Sequence, residues 1–314
     1  MRFPLAAITL RALATLAAVA VPATAHAYCR TTTTPVPANY SPSRGCFTDG
    51  LYLFWRNACV SYSLNQDASR GIAYEDAKRI IDESFAAWPA ATCADGNGPG
   101  ITVSDIGPSV CSEVRYNADA PNQNLVVFRD DGWPYSDPNN TLGLTTVTFN
   151  AQTGEIYDAD MEINSSAKNL SITDAVPTNG FDLQSVVTHE AGHFLGLAHA
   201  TDARATMYAS YKPGTSALRS LSPDDVAGIC AIYPNATTRT VSPSVSANET
   251  IVADSCDSSP RHGFSAQCEA AKDSSNGICT TVAPKPTASW AASASVLTVI
   301  AGFFAARRRR TRAR

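Results

Sequence analysis

The stretch His189-Glu190-Ala191-Gly192-His193-Phe194-Leu195-Gly196-Leu197-Ala198-His199 decides how this chain is read. As a helix it sets His189 and His193 four residues apart, so both imidazoles project from one face. Two such nitrogens suit zinc, and the carboxylate beside the first, Glu190, can serve as general base. Gly196 readily takes the left-handed conformation that ends a helix, so the chain can turn back and offer His199 as a third ligand. Three imidazoles leave a fourth tetrahedral position open, which is the pattern of a catalytic rather than a structural zinc site. A surface helix with scattered histidines is the plain alternative. Against it, three of the five histidines fall in this stretch, and chance would produce the pattern in on the order of one chain in 10⁵. The helix is expected over Phe181–Leu195, with Asp182 as N-cap and Leu183, Val186, Val187, Phe194 and Leu195 as its buried stripe.

These residues spell HExxHxxGxxH, which resembles the signature of the metzincin metalloproteases. The likeness continues in Thr206-Met207-Tyr208-Ala209-Ser210-Tyr211, which resembles the Met-turn of the matrixin branch, and in Leu221-Ser222-Pro223-Asp224-Asp225-Val226, which resembles the start of its C-terminal helix. Two positions depart from the usual matrixin pattern: Ala209 stands where Pro is common, and Ala200 where Ser is common. The resemblance covers roughly residues 51–234. It implies an α+β fold, a twisted mixed β-sheet packed on two long helices plus a C-terminal helix, and a zinc-dependent endopeptidase acting on proteins or peptides. In that family His189, His193 and His199 would hold one zinc, Glu190 would be the general base, and Met207 would floor the site. Tyr208, Ala209 and Tyr211 would border an apolar pocket favouring Leu, Phe or Met after the cleaved bond. An extended substrate would lie along an edge strand, here Leu142–Val147, and pair through its backbone. The competing class is a non-catalytic, zinc-bearing adhesion or binding module on the same fold, because fold alone does not establish activity.

The resemblance also bears on other metals. Asp158 and Asp160, in Asp158-Ala159-Asp160-Met161-Glu162, and the pair Asp130-Asp131 are candidate oxygen ligands for calcium. A solvated turn and a polar strand face account for them more simply, because no full calcium-loop pattern is present. Matrixins often hold a second, structural zinc through histidines upstream of the active-site helix. None occurs between Tyr28 and Thr188, so that zinc is expected to be missing. The Pro-Arg-Cys-Gly context of a latency propeptide is likewise absent.

Along the chain, residues 1–27 read as a signal peptide: Arg2 and Arg11 lead into an apolar alanine-rich run that ends Ala25-His26-Ala27. Residues 28–50, rich in Thr, Pro and Ser, suggest an extended arm pinned by a disulfide. Leu51–Leu64 is strand-like. Tyr74–Trp88 has helical spacing, with Ala77, Ile80, Ile81, Phe85 and Trp88 in one stripe. Ile101–Ile106, Leu125–Phe128, Leu144–Phe149 and Glu155–Ile163 read as strands. Ser222 and Pro223 start a last helix that ends near Tyr233-Pro234. Residues 235–289 turn to Ser, Thr, Ala and Pro with three cysteines, as in a stalk. Residues 290–314 join an uncharged run, Trp290–Ala306, to an arginine cluster. That is the composition of a short apolar membrane helix with its arginines in the cytoplasm, and it also resembles bacterial C-terminal sorting tails, in which Cys279 would be the attachment point. The domain is thus expected to be secreted or held at the cell surface.

Six of the 24 Lys and Arg lie in 307–314 and two in 1–27, where there is no acid. The 28 acidic residues therefore leave the rest of the chain strongly negative, which excludes the basic face of a nucleic-acid binder. Nine cysteines, mostly isolated, suit disulfides in an oxidising compartment. Spacing does not fix their connectivity. Cys93 with Cys111 is the first expectation, followed by Cys29 with Cys46 and Cys59 with Cys230, and the odd count leaves one over.

Overall fold

The structure, a computed structural model, describes residues 28–235 and 256–268, together with backbone strands at 238–240, 248–250 and 294–300. Ordering the elements along the chain gives β1 (Cys29–Arg30), β2 (Cys59–Leu64), α1 (Tyr74–Ala86), β3 (Thr102–Asp105), β4 (Leu125–Phe128), β5 (Thr141–Phe149) and β6 (Ile156–Ile163). They are followed by β7 (Leu170–Ser171), β8 (Phe181–Asp182), α2 (Leu183–Phe194), β9 (Leu197–Ala198) and α3 (Pro223–Ile232). The expected α+β class holds: the main sheet runs β5-β6-β4-β2-β3, with β5 antiparallel to β6 and the remaining neighbours parallel.

Period-two alternation decides which face of the sheet meets the helices. Val60, Tyr62 and Leu64 of β2 and Ala159, Met161 and Ile163 of β6 join the main core. Ser61, Ser63, Asp158, Asp160 and Glu162 point to the other face yet are also buried. The helix stripe read from sequence is buried in full, from Ala77 to Trp88. Phe85 stacks on Tyr62 at 4.3 Å and meets Phe194 edge-on at 5.1 Å, so three rings lock sheet, α1 and α2 together. Trp88 donates its indole N–H to the Thr188 carbonyl at 3.0 Å, and Tyr233 at the end of α3 donates its hydroxyl to the Leu195 carbonyl at 2.9 Å. The helix bearing the histidines is therefore held from both sides.

The N-terminal arm is pinned as expected, by Cys29–Cys46. Its β1 pairs antiparallel with β9, and Thr31 donates its amide to the Gly196 carbonyl and its hydroxyl to the Leu197 carbonyl, both at 2.9 Å. The arm thus braces the turn that leads to His199.

The other two expected cysteine pairs do not form. Cys93 joins Cys230 on α3, Cys59 joins Cys256, and Cys111 joins Cys268, with Cα atoms 5.7, 5.2 and 4.8 Å apart. Nearness in sequence misled here because the loop from Ile106 to Asn124 carries Cys111 across the outer face of the sheet, away from Cys93. Two of these bridges staple 256–268, part of the stretch expected as a stalk, against that outer face. There Ser61 donates to the Ser258 carbonyl at 2.5 Å, and Arg261 lies over the Tyr157 ring at 3.8 Å.

Past the domain, β10 (Thr238–Thr240) and β11 (Asn248–Thr250) pair antiparallel. β12 (Ala294–Ile300) lies in the run expected as an apolar helix but is a strand, antiparallel to β5 with Thr298 opposite Leu144. Its valines, threonine and isoleucine are β-branched, and a short apolar run does not by itself distinguish helix from strand. The β5 edge expected to be free for substrate is therefore flanked by the chain itself. Among the described residues no helix is long and apolar enough to cross a membrane. The signal-peptide reading at 1–27, the attachment role of Cys279 and the arginine cluster lie outside the described residues.

Candidate metal centre

Asp182 caps α2 by accepting the Ser185 amide at 2.9 Å, and from that fixed start the helix runs to Phe194. One turn apart, His189 and His193 bring their Nε2 atoms to 3.1 Å. Gly196 then has φ +93, and a Cβ there would lie 2.9 Å from the Leu53 carbonyl oxygen, so both conformation and space demand glycine. The turn delivers His199, whose Nε2 is 3.2 Å from that of His193. Ligating atoms of all three lie within 4.8 Å of one another, and the histidines are the one such group of three or more among the described residues.

The second nitrogens decide what the cluster can do. His189 donates Nδ1–H to the Thr206 carbonyl at 2.6 Å, and His193 donates its own to the Leu197 carbonyl at 2.9 Å. These bonds place the proton on Nδ1 and leave the Nε2 lone pairs converging. Burial favours neutral imidazole, pushing His189 down to about 4 and His193 down to about 3, the latter with help from its neighbour His189. His199 is held well below its usual range, chiefly by burial and then by the other two rings. Three neutral imidazoles, two of them oriented by backbone carbonyls, are a donor set fitted to a borderline-soft divalent ion such as zinc.

Gly192 sits on the same helix between the two ligands. A Cβ there would lie 2.2 Å from the Met207 sulfur and 2.7 Å from Trp88, so the absent side chain lets Met207 and Trp88 pack against α2. The Met207 turn is itself held by a residue that pattern reading placed only at the start of the last helix. Asp225 is buried in the first turn of α3 and accepts three backbone amides: Thr206 at 2.7 Å, Ser222 at 2.8 Å and Met207 at 3.0 Å. The capping box of α3 thereby fixes the carbonyl that orients His189.

Glu190 is fully buried on the side of α2 that faces β5. Its Oε2 accepts the Thr145 hydroxyl at 2.8 Å, while Oε1 has no hydrogen-bond partner among the described residues. Burial raises the carboxyl to about 8, opposed by the Thr145 bonds, and a nearby cation would favour the charged form.

Beside Glu190 lies a narrow recess lined by Leu142, Ser185, Val186, His189, Tyr208, Tyr211 and Leu218. Tyr208 and Tyr211, named from the sequence, both line it. Ala209 is not in the lining, and Leu218, in the short 3-10 turn Ala217–Arg219, was missed. That turn is clamped by Arg219, which grips Asp182 with two nitrogens at 2.6 and 2.8 Å. Asp158 and Asp160 are not part of this centre. They sit buried on the outer face of β6, where burial and mutual proximity raise Asp158 well above its usual range and burial raises Asp160 to about 7. Asp160 accepts the Leu125 amide at 2.8 Å, and one Asp158 oxygen lacks a hydrogen-bond partner among the described residues.

A profile of the family described as Matrixin matches residues 54–234. Among curated proteins, Metalloendoproteinase 1 of Glycine max is 37% identical over 103 residues, which is 33% of this chain and 32% of the relative. Matrix metalloproteinase-20 of Homo sapiens is 38% identical over 103 residues, 33% of this chain and 19% of the relative. Neutrophil collagenase of Homo sapiens is 35% identical over 182 residues, 57% of this chain and 33% of the relative. The chain thus spans a third or less of the length of these three relatives.

Proposed function

The chain belongs to the matrixin family, and from that premise we propose that it is a zinc-dependent endopeptidase with Glu190 as general base. The observation that carries the proposal is the pairing of three metal-competent imidazoles with a buried carboxylate whose Oε1 is unpartnered. His189, His193 and His199 would hold zinc, which supplies Lewis acidity to polarise the scissile carbonyl and to acidify water. Glu190 accepts the proton of the attacking water and returns it to the leaving amine. The Thr206 and Leu197 carbonyls keep the His189 and His193 imidazoles in the ligating tautomer. A purely structural metal site has no use for a buried acid beside it, so the non-catalytic module leaves Glu190 unexplained.

An extended substrate would pair with β5 in the place that β12 takes in this chain. That this edge accepts an antiparallel strand supports backbone pairing as the binding mode. The cavity beside Glu190 would receive the side chain after the cleaved bond, and its apolar lining favours an uncharged residue. The four disulfides among the described residues suit an oxidising compartment, which supports extracellular proteins as substrates. The test is cleavage of casein by the purified protein. Chelator should abolish it, zinc should restore it, and Glu190→Gln should bind zinc but turn over at least about 100-fold more slowly, as expected when a general base is lost. Casein that stays intact with zinc present, or full activity in Glu190→Gln, rejects the proposal.

A further inference from the structure

We infer that Thr145 is a positioning residue for Glu190, assigning the base one working oxygen; this rests on the endopeptidase reading and deepens it. Gly143 and Thr145 are two apart on β5 and so share a face. The Glu190 side chain lies against both. A Cβ on Gly143 would come within 2.9 Å of Glu190 Cγ and Oε1, so this strand approaches the acid as closely as a backbone can. Two residues on, the Thr145 hydroxyl meets Oε2 at 2.8 Å.

A hydroxyl has one proton to give. Two acceptors stand within reach of Thr145: Oε2 at 2.8 Å and the Glu190 carbonyl at 3.2 Å. The carboxylate is the nearer and, when ionised, the stronger acceptor. Thr145 is completely buried, so no solvent competes for that proton. Its β-branched side chain has few χ1 choices, and a strand backbone fixes the rest. Glutamate, by contrast, has three torsions to settle. The bond to Oε2 removes that freedom and leaves Oε1 as the oxygen without a partner, and therefore as the one that receives a proton. Gly143 contributes the opposite wall: with no side chain there, Oε1 is not pushed off its position.

Threonine at this point has no packing rationale that valine would not serve as well, since the two are nearly isosteric and valine suits a buried strand. The hydroxyl is the difference. Thr145→Val and Thr145→Ser separate it from the methyl group. Both variants, wild type and Glu190→Gln are assayed as full-length zinc-loaded proteins on one quenched peptide cut by wild type, with zinc content and Tm measured alongside. Thr145→Val is expected to lower kcat about 10- to 100-fold, the scale of a hydrogen bond to a charged group, with KM within about twofold. Thr145→Ser should stay within about threefold of wild type. Crystal structures of the two variants supply a readout independent of turnover: Glu190 should keep its conformation in the serine variant and leave it in the valine variant. The inference is overturned by wild-type kcat in Thr145→Val, by a serine variant as slow as the valine one, or by an unmoved Glu190 in the valine structure. If wild type and Glu190→Gln are equally inert, the endopeptidase reading fails instead, and the crystal structures still decide whether Thr145 positions the acid.

Discussion

Replacing Asp225 by asparagine tests whether the cap of α3 and the metal centre are one unit. The carboxylate takes Thr206 and Ser222 amides on one oxygen and the Met207 amide on the other. An asparagine can direct its single carbonyl oxygen at the first pair, but its NH₂ group then faces the Met207 N–H, donor against donor. One charge-assisted bond is lost and one buried amide is left unsatisfied, at about 2–4 kcal/mol in all, since each such loss costs about 1–3 kcal/mol. The strain falls on the Thr206–Met207 peptide, whose carbonyl accepts from His189 Nδ1. Zinc affinity should therefore drop about 10- to 100-fold, the usual effect of disturbing a ligand's own hydrogen-bond partner. Urea unfolding of the chelator-treated protein gives the first quantity, and competition with a colorimetric chelator gives the second. Asp224→Asn, next door on the helix, is the control and should leave zinc affinity unchanged. If Asp225→Asn loses stability yet binds zinc as tightly as wild type, the proposed link from α3 through Thr206 to His189 is wrong.

Gly192→Ala should lower Tm by several degrees although alanine is the better helix former by about 1 kcal/mol. The new methyl overlaps Met207 and Trp88, both tied by their own hydrogen bonds, and overpacking of this kind costs about 1–3 kcal/mol; a raised Tm would show that the floor can yield. Leu218→Ala should enlarge the cavity beside Glu190 and move the preference after the cleaved bond toward bulkier apolar side chains in a peptide library, whereas an unchanged profile would remove Leu218 from the specificity wall. Asp158 and Asp160 bind protons more tightly in the folded chain than in the unfolded one, where an aspartate titrates near about 3.9. The contribution of Asp160 to stability is therefore present below about pH 4 and lost as pH rises through about 7, and that of Asp158 is lost in the same direction. Asp158→Asn should flatten that part of the Tm–pH curve and raise Tm at pH 8; a fall in Tm there, with calcium raising Tm of wild type alone, would mean that the pair holds calcium rather than a proton.

What the sequence made legible was whatever repeats at short range. The stripe Ala77 to Trp88, the cap at Asp182 and the helix start at Ser222-Pro223 depend on residues close in sequence, and all appear as read, with α1 ending at Ala86, two residues before the expected limit. The histidines were legible for the same reason: one helical turn and one glycine bend carry all three. β12 was misread because a short uncharged run satisfies a helix and a strand alike.

The parts that escaped are those in which a side chain finds a partner far along the chain. Thr145 lies 45 residues from Glu190, Asp225 lies 19 from Thr206, and Arg219 lies 37 from Asp182. No periodicity links such pairs, and the cysteine bridges, spanning 137 to 197 residues in three of the four cases, escaped for the same reason. Each long-range contact nonetheless serves a short-range motif. Arg219 holds the cap from which α2 starts, Asp225 holds the carbonyl that orients His189, and Thr145 holds the acid beside it. The eleven-residue motif specifies which groups come together. How sharply they are aimed is set by residues that the motif does not contain, so substitutions at those positions should change rate and affinity while leaving the pattern, and any match to it, intact.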